Sequence, residues 1–247
     1  MQIYNPFRHI RTTLKFGIII VASITLSSSF QIRHNRLSAD EKKEGWGLLF
    51  DGKTTKGWHT FQRVGFVSPI WKVEDNTLTM KKAGGGDLVT DQQFENFELS
   101  LDWKILNGGS SGILFHVSEE KNYASANETG PEMQLIDDHQ NPEGQLPKRT
   151  CGAAYDLAIP LVKSGRKAGE WNHIRLIVNQ GNVTQYLNGQ LTARYRMGSP
   201  EWDSLVKTSK FKDMPSYGMM QKGHIVLQDE GSPVWFRNLK IKKLASI

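Results

Sequence analysis

The chain has 247 residues, a formal net charge of +6, seven tryptophans and one cysteine. A single thiol excludes an internal disulfide framework, and no CxxC or Cys/His ligand spacing is present to suggest a structural zinc site. Apolar content is ample for a sizeable core, and a chain of this length can form one all-β domain.

Arg8, Arg11 and Lys15 lie in the first 26 residues, which contain no acid. They precede the apolar run "FGIIIVASITL", Phe16 to Leu26, and then Ser27, Ser28 and Ser29. A basic start, an apolar stretch of about 7–15 residues and a small-residue zone predict a secretory signal over 1–29. The run is shorter than the ~20 residues of a spanning helix, so no stable membrane span is expected after cleavage. Removing the signal leaves a charge of about +3 and no basic stripe, which argues against a nucleic-acid partner. No cysteine follows the run, so there is no lipobox, and the expected destination is the periplasm or the exterior of a bacterial cell. Residues 30–44 are polar and charged and read as a linker; the domain is expected to span 45–247.

From Gly45 onward the pattern is strand and turn. "WKVEDNTLTM", Trp71 to Met80, alternates on both sides of Asp75-Asn76 and predicts a hairpin. In "FENFELSLDWKIL", Phe97, Leu99, Leu101, Trp103 and Ile105 share one face, while Glu98, Ser100, Asp102 and Lys104 share the other. "NGGSSG" reads as a turn and "GILFHV" as the returning strand. "EMQLID" is the next strand. Further strands meet at Gln180-Gly181 and Asn188-Gly189, and a last pair is expected to turn at Glu230-Gly231. One helix is predicted in "SPEWDSLVKTSKF", with Ser199 as N-cap and Pro200 at the first helical position. The stretch from Asp137 to Gly169 is a long loop of the kind that is often functional. Many short strands and a single helix predict an all-β antiparallel sandwich or jelly roll.

Alternation places Glu132 and Gln134 on one face of their strand, with Met133 and Leu135 in the core. Asp137 joins them only if a bulge interrupts the strand. The same open, wet face is expected to receive His116, Asp102, Lys104, His224 and Gln228. Such a set could bind sugar hydroxyls and exchange protons near neutral pH. Cys151 is expected to be a buried, unreactive residue. Two chemistries fit. Glu132 and Asp137 could form a two-carboxylate retaining glycosidase site. Their E-x-Q-x-x-D spacing looks like the E-x-D-x-x-E strand of laminarinase-type jelly-roll glycosidases, but Gln134 stands where the middle acid would be. Alternatively, one group removes a proton beside a ketone while another stabilises the enolate.

Several stretches in order resemble the 3-keto-disaccharide hydrolase domain family, from about Trp46 to Leu244. These are "LFDGKTTKGW", "GGGDLVTDQQFENFELSLDWKI", "GGSSGILFHV", "TGPEMQLIDD", "AGEWNHIRLIV", "YLNGQ", the "SPEWDSLVKTSKF" helix and "GHIVLQDEGSPVWFRNLKIKKL". The resemblance implies a concanavalin-like jelly roll exported by glycan-degrading bacteria. It also implies cleavage of glycosides already oxidised to a ketone at C3, by loss of the C2 proton and β-elimination, with or without rehydration. Glu132 and Gln134 match the family's E-x-Q strand, Gln228 and Asp229 its LQD, Lys104 its W-K strand and Lys210 its SKF. Glu230 stands where the family often has His. The implied roles are Glu132 or His116 as base and Lys104 or a bound cation on the ketone. Gln134, Gln228, Asp102, His224, Asp137, Asp229 and Lys210 are expected around the substrate. A divalent cation held by His116 and Glu132 is left open, since no spacing motif shows one. A noncatalytic carbohydrate-binding module is the alternative from another class.

Overall fold

The computed structural model describes Met1 and residues 34–245; the expected signal segment lies outside the described residues. The first element corrects the linker reading. Helix α1 (Ala39–Lys43) begins at a capping box in which Ser38 and Glu41 satisfy each other's backbone N–H groups. Upstream, Asn35 is buried, and it exchanges backbone-to-side-chain hydrogen bonds with Asn238 in both directions at 2.7 Å. The end of the polar stretch is therefore part of the domain.

The strands follow as β1 (Trp46–Leu48), β2 (Trp58–Thr60), β3 (Trp71–Glu74), β4 (Thr77–Met80), β5 (Leu88–Thr90), β6 (Phe97–Ile105), β7 (Ser110–Val117) and β8 (Glu132–Ile136). After the long loop come β9 (Asn172–Asn179), β10 (Asn182–Leu187) and β11 (Gln190–Arg196), then helix α2 (Pro200–Lys207), β12 (His224–Leu227) and β13 (Val234–Lys243). One antiparallel sheet runs β11-β10-β9-β6-β13-β4-β3, with β1 also on β13; the second runs β2-β5-β12-β7-β8. This is the expected all-β, concanavalin-like sandwich, with two α-helices rather than one among the described residues. Ser199 caps α2 as predicted, accepting the Trp202 N–H at 3.2 Å. Asp75 and Asn76 both take positive φ (49° and 57°), the geometry of a two-residue hairpin turn.

The core lies between the sheets. Phe97, Leu99, Leu101, Trp103 and Ile105 of β6 face Ile113 and Phe115 of β7, Met133 and Leu135 of β8, and Ile225 and Leu227 of β12. Burying these side chains is worth roughly 1.5–3 kcal/mol each before chain entropy is counted. Two turns expected to close hairpins instead carry the chain from one sheet to the other. β6 and β7 lie in different sheets, as do β12 and β13. That crossing decides which polar faces can meet.

The outer face of the five-stranded sheet is not the open, wet surface expected. Val89, Leu114, Val117 and Val226 form a buried cluster there with Ala126 from the loop after β7. The long loop also returns along β8: Gly152 N–H donates to the Gln134 carbonyl (2.8 Å) and Tyr155 N–H to the Glu132 carbonyl (3.0 Å). Cys151, within that loop, is buried, and burial pushes its thiol up to about 12, so it stays protonated and inert.

Candidate active site

Strand register assembles the site on this covered face. Glu132 lies opposite Leu114, which lies opposite Val226, and Gln134 lies opposite Gly112. The Gln228 N–H donates to the Gly112 carbonyl at 3.0 Å, so Gln228, Gly112 and Gln134 form a row across three strands. Glu132, Gln134 and Gln228 are only 3, 4 and 7% exposed, so their polar groups must be answered locally.

Gly112 sits in mid-strand, not in the turn that "NGGSSG" suggests. A Cβ there would lie 2.1 Å from Glu132 Oε1 and 2.7 Å from Gln228 Oε1. The missing side chain is thus the space into which a carboxyl and an amide converge. The surroundings of the Gln134 amide orient its nitrogen to donate to Glu132 Oε1 (3.0 Å) and to the Ser111 carbonyl (3.2 Å). Gln228 Oε1 is buried with no hydrogen-bond partner among the described residues. An orphaned acceptor beside a buried carboxyl suits a hydroxyl-bearing ligand.

Burial pushes the Glu132 carboxyl well above the ordinary carboxylate range. The negative charge of Glu230 adds to the push, Lys210 opposes it, and Asp87 and Glu143 add smaller repulsions. Tyr155 forms a wall, its hydroxyl donating to Glu143 Oε2 at 3.0 Å, while Arg149 joins Glu143 and Asp156 at 2.8 Å each. Lys210 is tied in through its backbone N–H to Asp156 (2.7 Å), and its ammonium lies 4.2 Å from the Tyr155 ring centre.

Glu132, Gln134, Gln228 and Lys210 are therefore brought together, but other expected residues are not. Asp102 and Lys104 belong to the opposite sheet, and their polar face is the far surface of the sandwich. There Asp102 meets His173 (2.8 Å), Arg237 (3.2 Å) and Asn238 (2.7 Å). Lys104 lies 4.8 and 5.1 Å from the Trp235 and Trp171 ring centres. Lys104→Ala is expected to leave turnover within twofold of wild type, measured on the substrate that the enzyme cleaves. His116 is also displaced. β7 carries one more residue than β12 between the pairs Val117–His224 and Leu114–Val226, and His116 takes φ +53° at this bulge. Its ring turns inward against Phe97 and Phe115, and its Nε2 donates to the Glu95 carbonyl at 2.8 Å. Asp137 accepts backbone N–H groups from Gly108 (2.8 Å) and His139 (3.0 Å), one on each oxygen, so it organises the loop instead of pairing with Glu132. Asp229 clasps Gly84 (3.1 Å) and Gly86 (2.8 Å) with one oxygen and Gly231 (2.9 Å) with the other.

A family model described as the 3-keto-alpha-glucoside-1,2-lyase-like domain matches residues 45–242. The chain belongs to this family. Over 234 residues it is 30% identical to a 3-keto-disaccharide hydrolase of Bacteroides thetaiotaomicron, covering 81% of this chain and 79% of that one. A crystal structure from Parabacteroides distasonis, provisionally named a glycosyl hydrolase, is 37% identical and superposes with a TM-score of 0.81 over 86% of this chain and all of that one. A second such structure from the same organism is 29% identical, with a TM-score of 0.61 over 81% of this chain and 99% of that one. Membership of the lyase-like family makes this a carbohydrate-active enzyme of the glycoside-cleaving kind.

On this lyase-like fold His224, expected beside the substrate, is held by other groups. Its Nδ1 donates to the Thr90 carbonyl (2.6 Å), and its Nε2 lies 3.0 Å from Gln93 and 3.5 Å from Glu119. The neighbouring His59, not singled out in the sequence, is buried between Asp91 (2.6 Å) and Glu119 (2.8 Å). Burial alone would lower its pKa, but the two carboxylates outweigh it and the net shift is upward. This ion pairing contributes stability that is complete below about pH 6.5 and is lost as pH rises through the higher folded value. His59→Gln should flatten that part of the Tm-against-pH curve; an unchanged slope would show that the pairing contributes nothing. Asp87, Tyr155 and Gly112 were likewise missed as site residues. For Gly112 the available signal was a glycine inside an otherwise apolar strand.

Proposed function

We propose that the enzyme cleaves glycosides whose sugar carries a ketone at C3, expelling the C1 substituent by elimination across C1–C2. The observation that carries this reading is one deeply buried carboxyl, Glu132, converging with an amide over a glycine, while Asp137 is committed to backbone N–H groups. A retaining glycosidase would need two carboxyls about 5 Å apart. A C3 ketone removes that need, because it acidifies the C2 hydrogen. The C2–H electron pair becomes the C1–C2 double bond, the C1–O bond breaks, and the leaving oxygen takes a proton. Water added across the double bond gives net hydrolysis.

Burial raises the Glu132 carboxyl well above the ordinary carboxylate range, which suits it to deliver the proton to the leaving oxygen. Gln134 fixes Oε1 of that carboxyl, and Gln228 accepts a sugar hydroxyl. Lys210, in place of Lys104, supplies positive charge near the developing enolate. The lyase-like family match and the hydrolase relative support the 3-keto substrate class. Glucoside and 3-keto-glucoside of the same alcohol test it. Release from the keto sugar alone is expected, and cleavage of the unoxidised glucoside would sink the reading. Binding of both without release would point to a carbohydrate-binding module. The basic-then-apolar segment of residues 1–29 supports export, which cell fractionation would check; among the described residues no helix is long and apolar enough to cross a membrane.

A further inference from the structure

Elimination needs a base for the C2 hydrogen, and His116 is turned into the core. The same row that holds Gln228, Gly112 and Gln134 extends one strand further. In the pairing of β12 with β5, Val226 faces Val89 and Leu227 faces Leu88, so the next residues in register are Gln228 and Asp87. Asp87 lies two residues from Val89, as Gln228 does from Val226 and Gly112 from Leu114. Val89, Val226 and Leu114 pack together on this face, so side-chain alternation puts Asp87 on it too. The order across the sheet is Asp87, Gln228, Gly112, Gln134, and the Glu132 carboxyl leans over Gly112. Strand spacing separates the Asp87 and Gly112 backbones by about 10 Å, with Gln228 between.

We propose that Asp87 is the base that takes the C2 hydrogen, facing Glu132 across a sugar seated over Gln228. This rests on the 3-keto-glycoside reading above. Asp87 Oδ1 accepts the Asp229 N–H at 2.9 Å, and Oδ2 has no hydrogen bond among the described residues. One oxygen is thus anchored and the other is free. The anchor is itself braced, because Asp229 grips Gly84 and Gly86 in the glycine run leading into Asp87. Burial, with the charges of Asp229 and Glu230, pushes Asp87 up to about 6, opposed by the Asp229 N–H. It is therefore ionised at neutral pH and a stronger base than an ordinary aspartate, while the Glu132 carboxyl is raised well above the ordinary carboxylate range. In the step, Asp87 becomes the carboxylic acid as the C2–H pair passes into the enolate of the C3 ketone; that pair then forms the C1–C2 double bond, the C1–O bond breaks, and Glu132 gives its proton to the departing oxygen.

Asp87→Asn keeps an acceptor for the Asp229 N–H, which favours an intact loop. Wild type and variant are compared in two assays: turnover of a 3-keto-glucoside, and deuterium uptake at C2 of a 1-deoxy-3-keto sugar, which has no leaving group. Asp87→Asn should lose about 10²–10⁴-fold in turnover and a similar factor in C2 exchange. The acid limb of kcat/KM near pH 6 should also disappear. Formate should partly restore C2 exchange to Asp87→Ala, which a purely structural role would not allow. Undiminished C2 exchange in Asp87→Asn overturns the assignment even if turnover falls. A wild type that neither cleaves the keto sugar nor exchanges its C2 hydrogen overturns the parent reading, and Asp87 with it.

Discussion

Glu132→Gln is expected to lower turnover of a 3-keto-glycoside with a sugar or alkyl leaving group by about 10²–10⁴-fold, the usual contribution of a positioned proton donor. The loss should be far smaller for a nitrophenyl leaving group, which departs without needing a proton. Equal losses on both would show that Glu132 is not the donor. The same variant should be more stable than wild type at neutral pH. A carboxyl whose folded pKa is raised binds its proton in the native state while the unfolded chain releases it. Wild-type stability therefore falls as pH rises above about 4.5, toward the higher folded value. The glutamine cannot ionise, so its Tm advantage should close by about pH 4 and widen toward pH 8. Each kcal/mol appears as roughly 2–4 °C in a chain of this size. Such a gain would mark Glu132 as a group kept for function at a cost to stability.

The sandwich was legible because alternation is a local signal. β6 shows it over nine residues, and a strand that must bury every second side chain declares its own core face. The Asp75-Asn76 turn and the Ser199 cap are equally local. What alternation does not disclose is which sheet a strand joins. Asp102 and Lys104 were grouped with Glu132 because each occupied the polar face of its strand. The chain changes sheets between β6 and β7, so those faces look in opposite directions. His116 failed for a subtler reason. One inserted residue on β7 inverts the alternation after Phe115, and nothing in "GILFHV" announces the bulge. Within one sheet alternation is enough: Glu132, Gln134 and Gln228 do come together. Asp87 is hidden in the sequence because it follows a glycine run, and it gains its place only from the pairing of β5 with β12 and from the Asp229 N–H, 142 residues distant.

Gly112 offers the sharpest separation of fold from function. Alanine there would place Cβ 2.1 Å from Glu132 Oε1 and 2.7 Å from both Glu132 Cδ and Gln228 Oε1. All three atoms lie toward the ends of flexible side chains, so the strand need not move; the carboxyl and the amide must. Overpacking of this kind costs about 1–3 kcal/mol, which a domain with so continuous a core should survive. The catalytic cost should be much larger, since a displacement of about 1 Å in a reacting group can cost 10²-fold. Gly112→Ala is therefore expected to remain folded, with its Tm lowered by only a few degrees, while turnover falls at least about 10²-fold. Its C2 exchange should suffer less than its turnover, because Asp87 lies on the far side of Gln228 from the new methyl group. Full activity in a folded Gly112→Ala enzyme would mean that the carboxyl over this glycine is not where the bond is broken.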